Sequence, residues 1–379
     1  MNKEEELKAI YAELQRAKSP EDIFGNLSGE DVAGRLEKVR ETYVEKTKVV
    51  FPDHFRYNDD VFKMAEEAFK KLNVFRKEAD KIIRRGASSD PSDEESAQRE
   101  TFVIKKQNRE YRINLPEVVE GDISMVYSGN YINSQNVLTP VIVKVIKDPA
   151  DAALMQNEAR VLRILQSEPS KQSKHFPVLI DQFRTTDRKT GLILEYFDGY
   201  DFLSVREEYK NGLDEKHVAW ILNRTLSAFG LVHSKKLTHN KFDPGHGMLC
   251  NTNHNAFFLD WSYATLDPFH TGESFKYYDE DYSAPEVKQG KRPTPSSDLY
   301  SIGKCMIYLL GGNIRTNTMP NSVDERFQRF IRFFVMESPI QRANDAWEMH
   351  EQLRGLRREI WGPDKFVELK MKKKPIQWR

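Results

Sequence analysis

The sequence predicts an α+β protein: a small all-α bundle followed by a larger two-lobed part, β-rich first and helical after. Three observations carry this. Between Glu4 and about Arg85, apolar residues recur at three- and four-residue steps. From about Thr101 to Phe197 they alternate in short runs, and after Gly199 the helical period returns and holds towards the end. Residues 86–100, GASSDPSDEESAQRE, contain no aromatic or large aliphatic side chain and several acids, so they bury too little surface to order themselves and are expected to be a flexible acidic linker. The expected divisions are therefore a helical domain over 1–85, the linker over 86–100, a β-rich lobe over 101–198, a helical lobe over 199–363 and a basic tail over 364–379.

Each element has a local reason. Ser19-Pro20-Glu21-Asp22 is a helix start, with proline in the first turn and acids facing the positive end of the helix dipole. Val61, Ala65, Ala68, Phe69, Leu72, Phe75 and Ala79 form one continuous apolar helical face. TFVIKK, EYRINL, SMVYSGNY and TPVIVKVI are expected to be antiparallel strands. A helix from about Ala150 to Gln166 follows, with Leu154, Ala159, Leu162, Ile164 and Leu165 as its apolar content, and PVLIDQF and GLILEYF are two further strands. No repeat of about 20 to 50 residues is present, which argues against a solenoid or propeller. Lys370, Lys372, Lys373 and Lys374 mark the last stretch as a solvated basic tail.

Composition excludes several functional classes. The 379 residues hold 58 Lys plus Arg and 58 Asp plus Glu, so the formal net charge is zero. A chain-wide grip on nucleic acid or an anionic membrane is not expected. No apolar run approaches the roughly 20 residues that span a bilayer, and the first residues lack the apolar stretch of a signal peptide. Two cysteines, Cys250 and Cys305, are too few for a disulfide framework. The expectation is a cytoplasmic protein with no membrane partner.

A set of residues in the larger part carries chemistry. Gly121 opens a turn before Ser124 and Val126, where backbone can approach phosphates. Lys144 ends an apolar strand and can pair with them, and Glu158, 14 residues on, lies on the following helix and can hold that lysine. Glu195-Tyr196-Phe197 joins the strand region to the helical region. Then come His239-Asn240-Lys241-Phe242-Asp243-Pro244-Gly245-His246, Asp260-Trp261-Ser262, Ala284-Pro285-Glu286, Asp298 and Arg342. Taken singly, each has a plain alternative: Lys144 as an edge-strand lysine in solvent, Asp243-Pro244-Gly245 as a simple turn, His246 as a packed loop histidine.

In this order the set resembles the protein-kinase family from about Glu110 to Gly362. The resemblance implies a two-lobed protein-kinase-like fold. It also implies ATP or ADP with Mg²⁺ as cofactor, held by Gly121, Ser124, Val126, Lys144, Glu158, the hinge residues Glu195 and Phe197, and Asp260 as metal ligand. It makes Glu286 and Arg342 a structural pair. The chain departs from the family pattern at the places that do the chemistry. Lys241 stands where the family has the aspartate that accepts the substrate proton, and His246 where it has a metal-binding asparagine. Of the three loop glycines only Gly121 remains, with Val119 and Ser124 at the other places. A protonated lysine neither takes up a proton nor ligates Mg²⁺, and histidine suits that hard ion poorly. The resulting expectation is a pseudokinase-like regulatory or scaffold protein. The alternative is an active atypical Ser/Thr kinase with Asp243 as a rescued base and Asp260, helped by His246, as metal ligand.

In the first unit, Phe51-Pro52-Asp53-His54 lies between two predicted helices, and the arrangement over roughly 18–84 resembles a J-domain. That resemblance implies a DnaK-type chaperone as partner and a third possibility, a co-chaperone or chaperone adaptor. Phe51 stands where the family's histidine would be and cannot make its polar contacts.

Overall fold

The computed structural model describes residues 3–28, 31–50, 55, 58–85, 101–106, 109–133, 136–167, 170–250, 255–363, 365 and 368–372. The chain divides into two compact units, 1–98 and 99–379. Among the described residues no helix is long and apolar enough to cross a membrane.

Among its described residues the first unit has four α-helices: α1 (Lys3–Arg16), α2 (Glu21–Phe24), α3 (Val32–Val50) and α4 (Asp59–Arg85). The apolar face expected of α4 is its packing face: Val61, Ala65, Ala68, Leu72, Phe75, Ala79 and Ile83 are buried with Leu7 and Leu14 of α1 and with Val39 and Val50 of α3. Polar contacts add to this at the rim. Tyr11 Oη donates to Glu67 Oε2 at 2.7 Å and Lys46 Nζ reaches Glu13 Oε2 at 2.6 Å. The Phe51–His54 turn on which the J-domain resemblance rests lies outside the described residues, as does the linker over 86–100.

The second unit opens with a six-stranded antiparallel sheet: β1 (Thr101–Lys106), β2 (Arg109–Glu120), β3 (Ser124–Ile132), β4 (Leu138–Ile146), β5 (Leu179–Arg184) and β6 (Thr190–Glu195), in the order β1-β2-β3-β4-β6-β5. Helix α5 (Ala152–Gln166) lies between β4 and β5 in the chain. Strand β2 runs past the expected EYRINL to Glu120, and its register shifts between Asn114 and Val118. That shift falls around Pro116, which has no N–H to give to the ladder.

Strand β4 explains how one lysine reaches the interior. It is flanked by β3 and β6, so it is apolar on both faces. Side chains alternate across a strand. Val141 and Val143 join a small cluster with Tyr111, Ile113 and Ile193, whereas Ile142 and Ile146 join the large core shared with α5 and the helical lobe. Lys144, two residues from each of those isoleucines, shares their face. It is paired in register with Val126 on one side and Leu192 on the other.

After β6 the chain is mainly helical. A short strand β7 (Gly199–Asp201) is followed by α6 (Phe202–Glu208) and the long α7 (Glu215–Ser234), which Asp214 caps by accepting from Lys216 N. Short strands β8 (Leu237–Thr238), β9 (Gly247–Cys250), β10 (Ala256–Phe258) and β11 (Thr265–Leu266) carry the loops of the site. Helices α8 (Pro268–Thr271), α9 (Pro285–Lys288), α10 (Pro295–Leu309), α11 (Glu325–Phe334) and α12 (Ala346–Trp361) complete the lobe. Helix α10 is buried on nearly every side, and α7 packs against both α10 and α12. The described part of the C-terminal tail differs from the solvated segment expected. Leu369 and Met371 are half-buried and pack against the core, and Tyr209 Oη donates to Lys370 O at 2.6 Å. Lys373 and Lys374 lie outside the described residues.

Candidate active site

Asp260 is the centre of the site. It follows β10 with φ at +57°, a left-handed conformation that aspartate tolerates better than most residues. Trp261 fixes the turn from behind. It is fully buried against Phe176, Phe229 and His239, and its indole N–H donates to Phe258 O at 3.1 Å. From the side of α5, Asn157 Nδ2 donates to Ser262 O and Ala264 O at 3.0 and 2.7 Å.

Four donors converge on the Asp260 carboxylate. Oδ1 accepts from Lys144 Nζ at 2.9 Å and from Ser262 Oγ at 2.7 Å. Oδ2 accepts from Lys241 Nζ at 3.2 Å and lies 3.3 Å from His246 Nε2. Lys144 also donates to Glu158 Oε2 at 2.7 Å, so strand β4, helix α5 and the Asp260 turn are joined through one ammonium group. Lys241 has three further neighbours. It donates to Asp122 Oδ2 at 3.0 Å, in the turn that Gly121 opens, and its ammonium lies 5.1 Å from the Tyr263 ring and 4.8 Å from the Tyr277 ring. His246 completes a chain of charges, with Nδ1 2.8 Å from Asp243 Oδ2.

The electrostatics follow from these contacts. Burial by itself raises the Asp260 carboxyl, but Lys144, His246 and Lys241 outweigh it and hold the group well below the usual carboxylate range. Burial opposes the charge of Lys144 and Lys241, yet the carboxylates beside them raise both above the ordinary lysine value. For His246, burial is overcome by Asp243 and Asp260, which push its pKa up to about 10. Asp243 is buried too, but His246 holds its carboxyl below the ordinary value.

The loop that carries Lys241 and His246 is positioned by Asp298 at the start of α10. Its carboxylate accepts from the backbone N–H groups of His239 and Asn240, both at 2.9 Å, and from His233 Nε2 at 3.1 Å. Asn240, at φ +67°, donates from Nδ2 to Tyr263 O and Thr265 Oγ1, tying this loop to the one after Asp260. Lower in the lobe, Arg342 pairs with Glu286 through two bonds of 2.7 and 3.1 Å, both side chains almost fully buried.

The structure thus brings Lys144, Glu158, Lys241, Asp243, His246 and Asp260 into one continuous network. Gly121 closes the turn between β2 and β3 by donating its N–H to Ser124 O at 2.9 Å, and Val126 is half-buried against the core beside Lys144. Glu195 ends β6 with an exposed side chain, and Phe197 packs against Phe257 with ring centroids 4.9 Å apart, so these two mark the connection between the lobes rather than the charged network. Sequence reasoning named Ser262 only as the last position of Asp260-Trp261-Ser262 and missed Asp122, Tyr263, Tyr277 and Asn157 as members of the network. Only Asp122 had a signal, as an acid directly after the turn glycine.

The site does not fit a chelated divalent cation. A carboxylate offers about four lone-pair positions, and four protein donors already converge on Asp260. His246 was expected as a metal ligand. It is instead a cation between two carboxylates, and a protonated imidazole has no lone pair to lend. Among the described residues no group of three or more His, Cys, Asp or Glu side chains is disposed to hold a metal ion. Within the network the three cations Lys144, Lys241 and His246 face the four carboxylates Glu158, Asp260, Asp122 and Asp243, so an anion entering beside the glycine turn must take the place of a protein carboxylate.

Comparison with known proteins agrees with this architecture. The family described as Protein kinase domain matches residues 112–361, about two thirds of the chain. A serine/threonine-protein kinase F of Synechocystis sp. is 26% identical over 169 residues, 42% of this chain and 34% of the relative. A protein named serine/threonine-protein kinases drp72, of Corynebacterium efficiens, is 23% identical over 262 residues, 63% of this chain and 49% of the relative. Ribosomal protein S6 kinase alpha-4 of Mus musculus is 26% identical over 212 residues, 53% of this chain and 26% of the relative. The matched regions cover half or less of each relative's own length. With the lobes, the Lys144–Glu158 pair and the Asp260 turn all in place over the matched range, the chain belongs to the protein kinase domain family.

Proposed function

We propose that this chain is a pseudokinase, a regulatory or scaffold module that takes the phosphates of ATP or ADP on Lys144, Lys241 and protonated His246 without a divalent cation, and that transfers no phosphoryl group. One observation carries this reading: the position expected to hold the proton-accepting aspartate holds Lys241, clamped between Asp260 and Asp122. An ammonium group whose pKa is raised cannot accept a hydroxyl proton. Asp243 is a poor substitute, because it accepts from Gly245 N and faces His246, which holds its carboxyl below the ordinary value and so makes it a weaker base. Lys144, Lys241 and His246 are each paired with protein carboxylates, and a phosphate that displaces the exposed Asp122 from Lys241 takes up charge that a metal would supply elsewhere. The relatives' names as serine/threonine-protein kinases favour the other reading, an active kinase, and the same experiment separates the two.

The test is calorimetric titration of the full chain with ATP and ADP, in excess EDTA and in Mg²⁺, together with a radiolabel assay for phosphate transfer. The expected result is binding that EDTA changes by less than about twofold, that Lys144→Ala weakens at least about tenfold, and no transfer. Obligatory Mg²⁺, or transfer that Asp243→Asn abolishes, overturns it. Replacing Lys241 by Asp and His246 by Asn together should make nucleotide binding depend on Mg²⁺.

A further inference from the structure

The second unit holds a cavity of about 520 Å³ away from the charged network, where α7, α12 and the segment before β5 meet. Five cationic side chains line it: Lys171 and Lys174 from the segment before β5, Arg224 from α7, and Arg354 and Arg357, one turn apart on α12. No aspartate or glutamate lines it, in a chain whose formal charge is zero. Arg354 is held by Glu351 through contacts of 3.0 and 3.1 Å, with that carboxylate outside the lining.

A second observation points to what such a cavity takes. Asn223 on α7 is 9% exposed and lines the cavity, and its Nδ2 has no hydrogen-bond partner. The buried Nε of neighbouring Arg224 has none either. Both orphan groups are donors. Both atoms have almost no accessible surface, so an anion meets them only when the side chains turn towards the cavity, and the all-cationic lining itself suits a phosphoryl group, with charge and several oxygens in a small volume.

We infer that this cavity is a binding site for a small phosphate-bearing anion, separate from the cleft around Asp260, with Asn223 and Arg224 at its floor and Lys171 and Lys174 at its rim. A concave site of this size suits a mono- or diphosphate group rather than the length of a nucleic acid strand.

The test is calorimetric titration of the full chain with sodium pyrophosphate at low salt, with a 20-nucleotide single strand as a second probe. Wild type and Lys144→Ala are expected to bind pyrophosphate saturably. Arg224→Gln and the double variant Lys171→Ala/Lys174→Ala are expected to lose at least about tenfold in affinity at this site. The rim lysines are exposed, so the double variant keeps the test valid if Arg224→Gln does not fold. Three results overturn the inference: no saturable binding of pyrophosphate, binding that disappears in Lys144→Ala and persists in the cavity variants, or binding of the oligonucleotide without binding of pyrophosphate. Because Lys144→Ala removes the cleft and the cavity variants spare it, failure here is distinct from failure of the pseudokinase reading.

Discussion

His246 makes the charge network measurable as a dependence of stability on pH. Its pKa is about 10 in the folded protein, against an ordinary value near 6.5 in an unfolded chain. Below about pH 6.5 both states carry the proton, and the imidazolium contributes its full stabilisation. Between about 6.5 and 10 the folded state holds one proton more than the unfolded state, so stability falls with pH at about 1.36 kcal/mol per pH unit. The whole window corresponds to about 5 kcal/mol, and the accessible part from about pH 6.5 to 8.5 to about 3 kcal/mol. The side chain is only 18% exposed, so solvent screens little of this. The assay is urea unfolding followed by tryptophan fluorescence. All five tryptophans, Trp220, Trp261, Trp347, Trp361 and Trp378, lie in the second unit, so the signal reports that unit alone. Wild type is compared with His246→Gln to cancel the titration of other groups. The advantage of wild type should be largest near pH 6.5 and shrink by about 3 kcal/mol by pH 8.5. An advantage that stays constant within about 0.5 kcal/mol across that range would show that His246 is not the cation assigned here.

Two further substitutions probe other parts of the network. Asp122 is 71% exposed while Lys241 beside it is 2% exposed, so Asp122→Ala should cost less than about 1 kcal/mol of stability. It should also free Lys241 for phosphate, raising ATP affinity up to about fivefold by calorimetry. Arg342→Met leaves Glu286 buried without its partner and should destabilise the second unit by about 3 to 5 kcal/mol in urea. Adding Glu286→Leu should recover part of that loss, since the pair itself repays little beyond its own desolvation.

The parts of the fold that were legible in the sequence are those set by local patterns. Strands β1 to β6 appear where short alternating runs were read, and α4 buries the face its spacing marks out. Lys144 and Glu158 were legible from their order and spacing, a lysine at the end of an apolar strand and a carboxylate 14 residues on in the following helix; that both side chains turn inward is what the structure adds. What was not legible arises from contacts between distant segments. Asp122 and Lys241 are 119 residues apart, and the Tyr263 and Tyr277 rings beside Lys241 come from a segment with no periodic signal. The protonation state of His246 depends on two carboxylates that only folding brings to it. The basic cavity was hidden in the same way, because its five cations come from three segments of a chain with no net charge.

These observations bear on why a kinase-family cleft would hold lysine and histidine where the family pattern has aspartate and asparagine. Replacing an aspartate by a protonated lysine makes the site more positive by two charges, and a protonated histidine for asparagine adds one more. A divalent ion about 4 Å from Lys241 would meet a repulsion of about 4 kcal/mol per unit of charge at the effective dielectric of a protein surface, about 8 kcal/mol in all. The same two cations attract a triphosphate through the same interaction with its sign reversed. The substitutions therefore do more than remove a base and a ligand. On the reading proposed above, they place on fixed side chains positive charge that a mobile metal would bring, so that affinity for the anion survives while the proton acceptor needed for transfer does not. If nucleotide binds as proposed, its phosphates compete with Asp122 for the ammonium group of Lys241, and that competition would couple occupancy to the closure of the glycine turn.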